Sequence, residues 1–217
     1  MIRRAAFAIA AGIVALTGCS GIGAYRPWTP HVKAAAKPGS PIRAPEGKAL
    51  VVVVQAKPPG SGNGAYTVFA NRAPIAQFEP DTASWTTSVL EPGEHHLYVR
   101  TWTSDFCVRV DAQLAAGKVY VLDLSPEDAH SAPLAGTNPN LFASAAFRDK
   151  PAAGALVYFP YVALDVDAAK KELVDHEKQL AECMGHADSI FGQPKAVAPT
   201  VGFDEIDLSP PTQTAGR

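Results

Sequence analysis

Lys48-Ala49-Leu50-Val51-Val52-Val53-Val54-Gln55-Ala56 is the stretch that decides the fold. Leu50 is followed by four valines with no polar break. Such a run suits a strand buried on both faces, with β-branched side chains that fit the pleat. Downstream, the pattern shortens into pieces punctuated by turns. Pro58-Pro59-Gly60-Ser61-Gly62-Asn63-Gly64 breaks the chain, and Tyr66-Thr67-Val68-Phe69 resumes in strand-forming residues. Asn71-Arg72 turns the chain back into Pro74-Ile75-Ala76-Gln77-Phe78, whose proline suits an edge. A further strand covers residues 83–90, with Trp85 and Val89 as its large apolar side chains. Pro92-Gly93-Glu94 is a turn, because proline presets φ and glycine tolerates positive φ.

In residues 95–103, Leu97, Val99 and Thr101 face one way and His96, Tyr98, Arg100 and Trp102 the other. In residues 106–114, Phe106, Val108 and Val110 oppose Cys107 and Arg109. Ala115-Ala116-Gly117-Lys118 turns, and residues 119–124 close the region. Short strands at this spacing predict a mainly β protein, a small antiparallel β-sandwich over residues 48–160. Within it, residues 125–154 read as loop, with Leu141-Phe142 and Phe147 folding back on the sandwich, and Ala155-Leu156-Val157-Tyr158-Phe159 reads as one more strand. Three segments, residues 66–72, Leu90-Glu91-Pro92-Gly93-Glu94-His95-His96-Leu97 and Ala115-Ala116-Gly117-Lys118-Val119-Tyr120, resemble the repeated pattern of the DUF2846 domain. That family is similar to PEGA-type sandwich modules of bacterial lipoproteins. The resemblance implies a scaffold or binding role and carries over no catalytic residue.

The period then changes. Val166, Ala169, Leu173, His176, Leu180 and Cys183 recur at three- and four-residue steps, which is one stripe of a helix. Asp165 is its N-cap, Asp167 places negative charge in its first turn, and Gly185 stops it, so the helix is predicted over 165–184. Residues 161–191 form the single C-terminal α-helix unit, packed on the sheet. Proline and polar residues dominate 192–217, which reads as a disordered tail despite the apolar stretch at 201–208.

The N-terminus carries a different signal. Arg3 and Arg4 precede an apolar run free of charge, too short to span a bilayer. Leu16-Thr17-Gly18-Cys19 at its end resembles the lipobox of bacterial lipoproteins. Residues 1–18 are then a signal peptide, and the resemblance implies a lipidated Cys19 as the first mature residue. Ser20 stands where an aspartate would favour the inner membrane, so the expected location is the outer membrane, facing the periplasm. Pro27, Pro30, Pro38, Pro41 and Pro45 make residues 19–47 read as a linker from lipid to domain. Tyr25 and Trp28 either rest at the membrane interface or pack on the domain; both readings are open. Loss of residues 1–18 removes Arg3 and Arg4 and no acid, so the net charge goes from −2 to −4. Such a chain has no electrostatic footprint for nucleic acid.

With Cys19 given to lipid, Cys107 and Cys183 remain. They form either a disulfide or two separate buried thiols. His176, Cys183 and His186 are the candidate metal ligands, with a surface histidine pair beside a bonded cysteine as the plainer reading. His95 and His96 point to opposite faces and make no site together. The chain has no phosphate loop leading into a helix and no Gly-x-Ser-x-Gly elbow, and Asp105, Asp111 and Asp123 are scattered over strand ends. Trp85 and Trp102 line a glycan or peptide groove or belong to the core. The expectation is a non-enzymatic lipoprotein without a cofactor, anchored through its lipid and partnered by an envelope protein or peptidoglycan. A sheet edge would accept a partner strand. The alternatives are a periplasmic metal binder using His176, Cys183 and His186, and a hydrolase.

Overall fold

A computed structural model describes residues 30–56, 66–79, 82–101, 107–124, 145–149, 153–191 and 199–209. The elements in chain order are β1 (Val32–Ala34), β2 (Ile42–Arg43), β3 (Ala49–Gln55), β4 (Tyr66–Ala70), β5 (Ala73–Phe78), β6 (Ser84–Leu90), β7 (Gly93–Thr101), β8 (Cys107–Leu114), β9 (Val119–Asp123), β10 (Ala146–Phe147), α1 (Ala153–Tyr158), β11 (Val162–Leu164), α2 (Val166–Phe191) and β12 (Glu205–Ile206). The valine run is the centre. All seven residues of β3 are buried. Ala49, Val51 and Val53 face a core shared with Val68, Phe78, Leu97, Val99 and Leu122, while Leu50, Val52 and Val54 face a second core with Trp85, Val121, Leu156 and Ile206. Each such side chain contributes roughly 1.5–3 kcal/mol by full burial.

Two four-stranded sheets enclose the first core, one in the order β10-β9-β3-β6 and the other β5-β4-β7-β8. The protein is mainly β, with antiparallel pairing nearly throughout. Among the described strand pairs the departure is β3 with β9, which run parallel with Val52 opposite Val121. A parallel pair requires a long crossover, and the whole second sheet is built within it. In that sheet Asn71 and Arg72 take φ of 49° and 65°, the left-handed pair of a tight two-residue hairpin turn.

The helix α2 packs on the outer face of the second sheet. Leu180 and Met184 meet Phe69, and Cys183 and Ala187 meet Cys107. Asp165 is its N-cap, its Oδ1 accepting from the Ala168 N–H at 3.2 Å. Gly185 does not end the helix, which continues to Phe191. A mid-helix glycine costs about 1 kcal/mol, and the buried Ala187 and the ion-paired Asp188 beyond it outweigh that.

Three further expectations are corrected. Residues 155–159 are not a strand; α1 occupies Ala153–Tyr158. The β-forming residues there yield to one anchor, Leu156, buried against the outer face of β3, and Lys37 Nζ donates to the Leu156 and Val157 carbonyls at the helix end, at 3.4 and 2.7 Å. The linker reading of residues 19–47 fails from residue 30 onward. There β1 pairs with β11, β2 pairs with β12, and Ile42 is buried. The disordered-tail reading of 192–217 fails at 199–209. These residues strap the first sheet, with Phe203 bridged to Val119 and Ile206 buried in the second core. Lys118–Asp204 and Arg43–Glu205 ion pairs flank the strap. The apolar stretch at 201–208, outweighed in composition by its proline-rich surroundings, is the cover that the outer face of β3 needs.

Candidate functional site

Polar chemistry gathers where β7, β8 and the end of α2 meet. The register of β7 with β8 sets Tyr98 opposite Arg109, His96 opposite Asp111 and Arg100 opposite Cys107. Strand alternation turns Tyr98 and Arg109 toward the helix while Leu97 and Val99 enter the core. Cys107 is bonded to Cys183, with Cα atoms 5.4 Å apart, and this fixes the helix over β8. The disulfide half of the cysteine expectation is therefore the one observed. Five residues further along α2, Asp188 Oδ1 accepts from the Tyr98 hydroxyl at 2.9 Å and from Arg109 Nη1 at 2.8 Å. Arg109 Nε lies 3.1 Å from Asp111 Oδ1, and His96 Nδ1 lies 2.7 Å from that same oxygen.

The electrostatics follow from this packing. The Arg109 side chain is only 4% exposed, against 46% for Asp188. Burial disfavours the Asp188 charge, yet the hydrogen bonds from Arg109 and Tyr98 outweigh it and hold the carboxyl below its ordinary range. Burial, and then the bond to Asp188, push the Tyr98 hydroxyl above its ordinary value. Burial opposes the Arg109 charge as well, and Asp188 and Asp111 more than restore it. A carboxylate held ionised by two donors is a poor base, and a phenol with a raised pKa is a poor nucleophile. What this cluster does well is hold a helix on a sheet.

The remaining candidates are dispersed. Cys19 lies outside the described residues, as do Tyr25, Trp28, Trp102, Asp105 and Leu141-Phe142. The sulfur of Cys183 is committed to the disulfide. His176 is buried with Nδ1 3.0 Å from Gln179 Oε1, and His186 is exposed. Ten residues of helix separate the two histidines by about 15 Å along the axis. The expected metal trio is thus not brought together. Among the described residues no group of three or more His, Cys, Asp or Glu is placed to hold a metal ion. His95 and His96 do diverge: His95 is buried with Nε2 2.7 Å from the Glu91 carbonyl, while His96 meets Asp111. Asp123 is buried and paired with Arg148. Trp85 is fully buried, donates Nε1–H to the Phe159 carbonyl at 3.1 Å and stands edge-on to Tyr161. It belongs to the core and lines no groove.

The sheet edges expected to accept a strand are in part occupied. Tyr161 bridges β6 at Trp85, and Pro199 bridges β8 at Gln113. The Arg109–Asp188 link lies beyond the helix predicted over 165–184, which ends before residue 188. The visible signal was Arg109 sharing a strand face with Cys107. One shallow groove of about 270 Å³ opens between α2 and the β4–β5 turn, with Arg72 on one side and Leu173, Leu180 and Met184 on the other. Among the described residues no helix is long and apolar enough to cross a membrane. Compared with known proteins, the chain matches no family model, no curated protein and no solved structure.

Proposed function

We propose that this chain is a non-enzymatic lipoprotein of the bacterial outer membrane, a β-sandwich scaffold or binding module held at the periplasmic face by lipid on Cys19. The observation that carries the reading is Leu16-Thr17-Gly18-Cys19 at the end of a charge-free apolar run behind Arg3 and Arg4. The Cys107–Cys183 disulfide supports it, because such bonds persist in oxidising compartments such as the periplasm. The scaffold role is supported by the use of the gathered polar groups: Arg109, Asp188 and Tyr98 are engaged with one another in holding α2. The resemblance to the DUF2846 module suggests the same role.

The test is Cys19→Ala in the full chain, followed by membrane fractionation and by metabolic labelling with an alkyne fatty acid. The parent chain takes up label and sediments with outer membranes. The variant takes up none and moves to the soluble fraction. A variant that still fractionates with membranes as the parent does overturns the proposal.

A further inference from the structure

One row of side chains runs across all four strands of the second sheet. Gln77 of β5 stands opposite Thr67 of β4, Thr67 opposite Arg100 of β7, and Arg100 opposite Cys107 of β8. Their neighbours Val68, Ala76 and Val99 enter the core, so strand alternation turns this row to the other face, under α2. The helix is held to the row at both ends. At one end Cys107 is bonded to Cys183. At the other, the His31 N–H donates to Gln77 Oε1 at 2.7 Å, and His31 Nε2 lies 2.5 Å from Glu172 Oε2. Glu172 and Cys183 are about 16 Å apart along the helix axis, and the four strands span about 14 Å. The helix therefore lies along the row, with the buried His176 one turn beyond Glu172. The neighbouring row is different in kind: there Phe69 and Tyr98 pack against Leu173, Leu180 and Met184. So α2 covers one apolar row and one polar row.

Two side chains of the polar row carry unused hydrogen-bonding capacity. Thr67 and Gln77 are each only 1% exposed. His31 orients the Gln77 amide, because the amide oxygen takes the His31 N–H and the nitrogen is left to donate elsewhere. Among the described residues neither Gln77 Nε2 nor Thr67 Oγ1 has a hydrogen-bond partner. They belong to directly opposed residues, whose Cβ atoms are about 5 Å apart, yet they do not bond to each other. Buried polar groups left unpaired are costly and rare in folded proteins, and two side by side call for a shared partner. That partner must accept from an amide N–H and also bond a hydroxyl. Water does both. An anion would suit the two donors, but the Glu172 carboxylate at the end of the row repels it.

We infer that Thr67 Oγ1 and Gln77 Nε2 together hold an internal water molecule beneath α2, a solvent-binding site built into the helix–sheet contact. The water accepts from Gln77 Nε2–H and bonds the Thr67 hydroxyl, joining β5 to β4 through their side chains. Bound solvent thereby closes the polar half of the contact, as Phe69 and its neighbours close the apolar half.

The test uses the full chain in nonionic detergent, with Thr67→Val and Thr67→Ser. Valine keeps the shape of threonine and removes the hydroxyl, whereas serine keeps the hydroxyl. Oxygen-17 magnetic relaxation dispersion should count one fewer long-lived water in Thr67→Val than in the parent, and no fewer in Thr67→Ser. The urea midpoint separates a wet site from a dry one by its sign. With water bridging the pair, Thr67→Val strands the Gln77 donor and lowers the midpoint; in a dry site the same change removes an unpaired hydroxyl and raises it. In the parent chain the Gln77 side-chain amide should show a nuclear Overhauser effect to water, a reading that needs no variant. Its absence overturns the inference, as does an equal count of long-lived waters in Thr67→Val and the parent, or a raised midpoint. A parent melting temperature that climbs with chloride but not with gluconate at equal ionic strength would assign the site to an anion and overturn it likewise.

Discussion

At the scale of single residues, the tightest constraint is Gly202. A Cβ there would lie 2.8 Å from the Tyr120 ring and 2.9 Å from Lys118 Cβ. Tyr120 has no room to retreat, since it is buried and its hydroxyl accepts from the Ala115 N–H at 2.7 Å. Gly202→Ala therefore forces the strap off the sheet and costs about 1–3 kcal/mol, read as a lower urea midpoint. Asp188 gives a pH-dependent prediction. Its folded pKa is depressed, so the unfolded chain binds more protons in the acid range and the contribution of Asp188 is present above the ordinary carboxylate pKa. It is lost as pH falls through the folded value. Asp188→Asn should lower the urea midpoint at neutral pH, and the deficit should narrow toward about pH 3. An unchanged deficit at both pH values would mean that geometry, not charge, supplies the contribution. Residue-scale reading succeeded where strand alternation decides: Cys107 and Arg109 share a face, and His95 and His96 do not. It did not extend to the partner of Arg109, because no local pattern announces an ion pair formed across 79 residues.

At the scale of elements, β3 and α2 were legible because each carries its own period. Four consecutive valines require burial on both faces, and a three-and-four stripe requires a helix on a surface. Residues 155–159 carried β-forming side chains over too few positions to resist the pull of one buried leucine, and α1 resulted. The helix α2 also shows how two kinds of restraint divide one element. Asp165 caps its start and the Cys107–Cys183 bond clamps its far half. That disulfide closes a separation of 76 residues, which chain-entropy arithmetic values at about 4 kcal/mol. Replacing both cysteines by alanine should lower the unfolding free energy by about that amount without changing helix content at room temperature. Parallel denaturant titrations by tryptophan fluorescence and far-UV circular dichroism check it. Loss of the helical signal ahead of the sheet signal would show that α2 depends on the bond to dock at all.

At the scale of the whole molecule, a strand buried on both faces needs cover on both sides, and the origin of that cover was the part least visible in the chain. The inner face of β3 finds the second sheet, whose four strands all lie between β3 and β9 in the sequence. The outer face is covered by Ile42 just ahead of the strand and, from far away, by Leu156 in α1 and by Phe203 and Ile206 near the end. Proline-rich composition makes the first terminal segment look like a linker and the last like a disordered tail, and composition carries no record of a pairing such as β2 with β12, more than 160 residues apart. Yet the valine run implied that such cover exists. The strap is therefore as much a part of the fold as the strands it crosses. Truncation after residue 198 removes the buried Ile206, the Phe203 bridge to Val119 and the Thr200 contact with Gln113. It exposes Leu50, Val52 and Val119 to water. Loss of one large buried aliphatic side chain typically costs 2–5 kcal/mol, comparable to much of the net stability of a small domain. The truncated chain should bind an apolar dye and melt well below the parent. If removal of residues 199–209 left dye binding and melting unaltered, the strap would be ornamental and the outer face of β3 would owe its burial to Leu156 and its neighbours alone.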